Sequence, residues 1–250
     1  MMILGGCRGP KNKIRKYTVH IKKFVYICGC KSKKTNELHQ SVSQRIRRKM
    51  LEKNCPIEIF ADELRRRSAE NQRDAQADSS ALSERERVEL DNLTAETLAK
   101  ERGIWLEFAE QFSLGTPSPS GVENSIYLQE FGKLAYKVNN LMTSHSVSKL
   151  LDRLLLHNEI FPQTKYSLYG FTGFGNGSIY PILTQDYIQD ATYATPIEIE
   201  TYMAALHFDK IADGTFSNGS VIVSDLFPRN VLKDVDGDIY VVDADFKLQN

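Results

Sequence analysis

Val221-Ile-Val-Ser-Asp225-Leu-Phe-Pro228-Arg-Asn230-Val-Leu232, followed by Ile239-Tyr-Val-Val-Asp243-Ala-Asp245-Phe246, is the stretch that decides how this chain folds. An acid, an amide five residues on and a second acid thirteen beyond that are residue types with complementary uses. One carboxylate can orient an attacking hydroxyl or accept its proton. The amide oxygen and the second carboxylate are hard ligands of the kind Mg²⁺ takes when it is bound to phosphates. Two apolar runs, 220–223 and 239–242, read as β-strands that deliver these groups to one edge. Between them, Lys233-Asp-Val-Asp236-Gly237-Asp238 reads as a hairpin turn, because Asp-Gly tolerates the positive φ that such turns need.

Working outward, residues 121–138 read as strand, turn, strand, with Lys137 placed after the apolar Leu134-Ala-Tyr136. Residues 146–158 predict a helix, with Val147, Leu150, Leu151, Leu154 and Leu155 on one face. Two more strands are expected at 166–171 and 179–184. They flank Thr172-Gly-Phe-Gly-Asn-Gly177, which no helix follows and which therefore reads as a hairpin loop and not as a nucleotide-binding glycine motif. Thr195-Pro196-Ile-Glu198 opens a further helix, expected to run to about residue 208.

From Gly121 onward the chain resembles the serine/threonine/tyrosine kinase-like domain found in polyvalent proteins of bacterial conjugative elements and phages. The residues that carry the resemblance are Gly121-Val-Glu-Asn124, Tyr136-Lys-Val-Asn-Asn140, His157-Asn-Glu-Ile-Phe161-Pro162 and Tyr166 with Gly170-Phe171. They continue with Gln185, Tyr187-Ile188 and the segment from Asp225 to Asp243. More distantly the chain is similar to protein kinases and aminoglycoside phosphotransferases. The resemblance implies an α+β, minimal, two-lobed protein-kinase-like fold preceded by a helical N-terminal region. It also implies ATP and Mg²⁺ as cofactors, with Asp225 as the catalytic base or orienter. Asn230 and Asp243 would hold the metal. Lys137 would reach the α- and β-phosphates, and Gly121 would lie over them. Asp152 would pair with Lys137, with Glu159 as its rival, and the backbone from Gln185 onward would meet the adenine.

Three departures from the pattern bear on function. Gly121 stands alone where a fuller glycine loop is usual. Ser224 precedes the catalytic acid where kinases carry His or Tyr. Asp243-Ala-Asp245 replaces D-F-G, which adds Asp245 as a third candidate metal carboxylate. Only four residues follow Phe246, so a very short C-terminal lobe without an activation segment is expected. Two readings therefore stand side by side. One is a phosphotransferase acting on Ser, Thr, Tyr or a small-molecule hydroxyl. The other is a nucleotide-binding pseudokinase or regulatory interaction module.

The first half of the chain is less specific. Net charge is zero, yet residues 1–50 hold 14 Lys and Arg against the single acid Glu37. Lys11–Lys16 and Arg45–Lys49 could grip nucleic-acid phosphates without reading sequence; a solvated basic tail over 1–38, or a true start at Met50, is the alternative. Cys28-Gly-Cys30 is too close for zinc spacing, no disulfide framework is evident, and Phe24–Cys30 is too short to span a membrane. The cytoplasm is the expected compartment. Residues 39–115 predict a helical region: a short stripe of Val42, Ile46 and Met50, a helix over 57–67, a polar linker over 68–80, and a third helix. That third helix opens at the capping box Ser83–Glu86 and carries Trp105, Phe108 and Phe112. The kinase-like domain is expected over 116–250.

Overall fold

The structure is a computed structural model and describes residues 57–77, 81–119, 121–129 and 133–249. The expectations for the basic tail, the stripe at 42–50 and the four cysteines lie outside those residues. All described residues belong to one unit, 46–250.

Helix α1 (Ile57–Ala77) runs ten residues past the expected end. The polar stretch from Ser68 onward reads as linker by composition, but its polar groups have partners. Ser68 Oγ donates to Asp91 Oδ1 at 2.9 Å, Asn71 Nδ2 donates to Thr94 Oγ1 at 2.8 Å, and Arg66 pairs with Glu70 one turn on. Helix α2 (Glu84–Glu101) begins at the expected capping box, with Ser83 and Glu86 bonding reciprocally. It ends earlier than its aromatic spacing predicts. Gly103 takes a positive φ of 64°, after which Leu106 N–H bonds to Phe171 O and Phe171 N–H to Ile104 O. The chain there lies so close to Gly170 that a Cβ would sit 2.6 Å from Ile104 O. Trp105, Phe108 and Phe112 therefore reach the sheet, as expected, but from a bridge and a 3₁₀ turn and not from a helix.

A five-stranded antiparallel sheet follows, in the order β1 (Thr116–Ser118), β2 (Asn124–Leu128), β3 (Leu134–Asn139), β5 (Ser178–Asp186), β4 (Ser167–Gly175). The expected glycine loop shrinks to the turn Asn176-Gly177, with Gly173 and Gly175 absorbed into β4. The turn is docked by Gly177 N–H donating to Glu96 of α2. Helix α3 (Val147–Ile160) lies between β3 and β4 in the chain. Its N-terminus is served by α2: Asp91 accepts from Ser148 N–H and Asn92 from Val147 N–H. Leu64, Leu98, Leu150, Leu151, Phe171 and Leu183 belong to one buried apolar cluster. The core thus runs straight across the boundary expected at residue 115.

The remainder surrounds a second apolar cluster that includes Phe161, Met203, Phe216, Leu226, Val231 and Val241. Its elements are short. They are β6 (Thr192–Tyr193), α4 (Pro196–Ala205), β7 (Asp209–Ala212), β8 (Thr215–Ser217), β9 (Val221–Ser224), β10 (Val231–Lys233), β11 (Ile239–Val241) and β12 (Asp245–Leu248). They form a three-stranded sheet, β11-β10-β6, and a four-stranded one, β12-β9-β8-β7. The β10–β11 hairpin turns through Gly237 at φ 91°, as its Asp-Gly predicts. The fold is α+β. No helix among the described residues is long and apolar enough to cross a membrane.

Candidate active site

Strand β9 ends directly at Asp225, which takes the left-handed conformation with φ 62°. Leu226 is buried in the second cluster and its N–H bonds to Gly214 O, so the chain is anchored just past the acid. Pro228 then opens a 3₁₀ turn that brings Asn230 back. Asn230 Nδ2 donates to Asp225 Oδ2 at 2.7 Å and to Asp225 O at 2.8 Å. With its amide nitrogen so engaged, Asn230 turns its oxygen away from the acid. The spacing of five residues is the length of this closed turn. Arg229 forms an ion pair with Asp225 Oδ1 and lies over the Phe227 ring.

The second acid arrives from the other side. Val242 N–H donates to the backbone carbonyl of Asn230 at 2.9 Å, so Asp243 follows directly on a residue tied to the Asp225 loop. Strand β12 then pairs with β9, placing Asp245 opposite Ser224. The carbonyl of Val242 also accepts from Lys137 Nζ at 2.9 Å. A single residue therefore joins the lysine of β3 to the backbone of Asn230 in the Asp225 loop. Lys137 is buried at 8% exposure and bonds Tyr166 Oη at 3.0 Å, while Tyr166 in turn donates to Val242 O at 2.7 Å. Burial lowers the Lys137 pKa and raises that of Asp243, and the charges of the two groups oppose both shifts. The neighbouring His157 is buried too. Desolvation and the Lys137 charge hold its pKa down to about 3, so it is a neutral ring that donates to Thr164 O at 3.1 Å.

Asp152 does not meet Lys137. Its Oδ1 takes both Arg65 Nε at 3.1 Å and Arg65 Nη2 at 2.6 Å, and its rival Glu159 is exposed. Successive helix residues point about 100° apart, and the packing of α1 on α3 claims the face that carries Asp152. The residue that α3 does turn toward the site is the next one, Arg153. Gln185 also departs from expectation. It lies inside β5 opposite Ala135, its side chain is buried, and its Nε2 donates to Thr164 O, so the segment leaving the strand starts at Tyr187. Around Gly121 the turn is open. A Cβ there would touch nothing within 4 Å, so nothing in the protein itself requires glycine. That turn contributes Glu123 instead, which pairs with Arg153. Asp245, expected beside the metal, has its Oδ1 on Arg153 Nη1 at 3.0 Å.

Residues 89–250 match the family described as the serine/threonine/tyrosine kinase found in polyvalent proteins. The chain belongs to this family. No curated protein and no solved structure matches the chain. The kinase match begins within α2, so α1, which completes the apolar cluster under the sheet, stands outside it. Four polar residues of this kinase-like site were not assigned a role by sequence reasoning: Glu123, Arg153, Tyr166 and Arg229. The segments bearing Glu123 and Tyr166 were quoted in the resemblance, but nothing in their spacing says that one reaches Arg153 and the other Lys137.

Proposed function

We propose that this kinase-like chain is an ATP- and Mg²⁺-dependent phosphotransferase acting on a Ser, Thr, Tyr or small-molecule hydroxyl. The observation that carries the reading is the pair of bonds at Val242, its carbonyl to Lys137 and its N–H to Asn230. Through it the buried cation Lys137 and the backbone of Asn230, whose side-chain amide bonds Asp225, are both tied to the residue that precedes Asp243. The two apolar clusters suit the two lobes of a small kinase-like fold, with Lys137 on a strand of the five-stranded sheet and Asp225, Asn230 and Asp243 in the segment around the second cluster.

The donor set fits magnesium. The Asn230 amide oxygen and the Asp243 carboxylate are hard ligands, and Mg²⁺ is usually bound by one or two carboxylates together with phosphates and water. When bound, the ion would neutralise charge on the transferred phosphate. Lys137 would hold the α- and β-phosphates, with the turn at Gly121 above them. Asp225 would orient the acceptor hydroxyl and take its proton as the oxygen bonds to the γ-phosphorus and the bond to the bridging oxygen breaks. Adenine would lie against the backbone leaving β5. An ATP-using reaction suits the cytoplasm, and a polyvalent protein of a mobile element is the expected setting.

One observation favours the second reading, a nucleotide-binding module without transfer. Two of the site's acids, Asp225 and Asp245, are already neutralised by arginines of the same chain. Calorimetry with ATP, with and without Mg²⁺, combined with label transfer from γ-labelled ATP to the chain or a generic acceptor, separates the readings. Mg²⁺-dependent binding with transfer supports the enzyme, and binding without transfer supports the module. No binding under either condition excludes both.

A further inference from the structure

Arg153 is one of few charged side chains held deep in the site. Its side chain is 12% exposed and its guanidinium has three named bonds. Nη2 donates to Glu123 Oε1 at 2.9 Å, and Nη1 donates to Glu123 Oε2 at 3.3 Å and to Asp245 Oδ1 at 3.0 Å. The fork of a guanidinium meets both oxygens of one carboxylate and still reaches a second, which a lysine ammonium cannot do with the same geometry. Burial works against its charge, but Glu123 and the nearby Asp243 and Asp245 keep it protonated.

Those contacts join three separate pieces of chain. Glu123 sits in the turn between β1 and β2, Arg153 in the middle of α3, and Asp245 at the first residue of β12, two beyond Asp243. The turn is also tied to Asn140, whose N–H bonds to Glu123 O at 3.0 Å and whose Nδ2 bonds to Val122 O at 2.8 Å. Val122 is 78% exposed and a Cβ at Gly121 would meet nothing within 4 Å, so the apolar side chain of the turn does not pack on the site. The side-chain tie to Arg153 joins the turn to the segment that carries Asp243 and Asp245.

We propose that Arg153 is a positioning residue: it latches the Gly121–Glu123 turn to the Asp243-Ala-Asp245 segment and thereby sets the closure of that turn over the nucleotide phosphates. The inference rests on the phosphotransferase reading for its consequence, but not for the latch itself. Where a kinase-like helix acid would otherwise serve Lys137, this helix supplies a cation that serves the turn, while Lys137 is held by Tyr166 and the Val242 carbonyl.

The test uses the full chain with Arg153→Gln, Arg153→Lys and Glu123→Gln, read by hydrogen exchange and by ATP kinetics. Glu123→Gln guards against a folding failure of the helix variants, because it leaves α3 intact. Exchange over residues 121–128 should rise by roughly tenfold in Arg153→Gln and in Glu123→Gln, with Arg153→Lys between them and wild type, and exchange in α3 and β5 unchanged. Exchange over 121–128 equal to wild type in both Gln variants overturns the latch. So does a rise spread over the whole chain in Glu123→Gln. In an active protein the KM for ATP should rise several-fold more than kcat falls, because an open turn weakens phosphate binding before it slows transfer. An unchanged KM overturns the positioning role. Should wild type bind no ATP, the phosphotransferase reading fails, and the exchange result alone still decides the latch.

Discussion

Lys137 and Asp225 lie on the two sides of one site and in opposite surroundings. Lys137 is enclosed by Tyr166, the Val242 carbonyl and Asp243, at 8% exposure. The Asp225 side chain is 37% exposed and is met by the exposed Arg229 and by Asn230. A buried charge is part of the fold as well as of the chemistry, because removing its partner leaves an uncompensated ion in low dielectric. An exposed one is free to serve chemistry alone. Loss of activity means different things on the two sides, and variants on the Lys137 side must be read together with stability.

Replacing Lys137 by Ala breaks the comparison hardest. The Tyr166 hydroxyl and the Val242 carbonyl would lose their buried donor and Asp243 the favourable Lys137 charge, and denaturant unfolding should show a loss of about 2–3 kcal/mol. A stability equal to wild type would mean that Lys137 is hydrated and not buried. Asp225→Asn should behave in the opposite way. Asn accepts the left-handed backbone at φ 62° at least as well as Asp, so folding should change by no more than about 0.5 kcal/mol. Phosphotransfer should nevertheless drop roughly a hundredfold. Equal transfer by the variant would remove Asp225 as the catalytic residue.

Acid sharpens the contrast, because His157 belongs to the buried side. Its folded pKa of about 3 lies below the ordinary 6.5, so the unfolded chain takes the proton first as pH falls. The stability it contributes is complete above about pH 6.5 and is lost progressively toward pH 3. By pH 5 the loss is about 2 kcal/mol from this residue, and thermal melts of His157→Gln should lack it. Smallest of all, Tyr166→Phe removes one hydroxyl from the Lys137 enclosure but leaves the lysine on Val242 O. A loss of about 1 kcal/mol in denaturant midpoint is expected, and a loss as large as that of Lys137→Ala would show that Tyr166, not Asp243, holds the lysine.

Much of the site was legible because its chemistry is local. Asp225 and Asn230 are bonded across a five-residue turn, and the Pro and Leu between them fix its shape and anchor. The capping boxes at Ser83 and Thr195 and the Asp-Gly hairpin are also short-range signals, and they occur where expected. Most of the failures are long-range. The linker at 68–77 is helix because its Ser and Asn side chains find partners on α2. The aromatic spacing that seemed to prolong α2 is cut at Gly103 by pairing with β4. Strands β7 and β8 are only a few residues long, and no period shows in them.

By itself the sequence determined the residue types of the site, the loops that carry them and the alternation of strands and helices around them. These depend on neighbours within a few positions, where backbone sterics and hydrogen-bond reach leave little choice. Only the tertiary structure decided which charge meets which. Asp152 and Arg153 are adjacent in sequence and about equally polar. The packing of α1 on α3 sends one to Arg65 and the other to Glu123 and Asp245. A helix fixes the angle between successive side chains but not its own rotation, and that rotation is set by which apolar stripe the rest of the molecule covers.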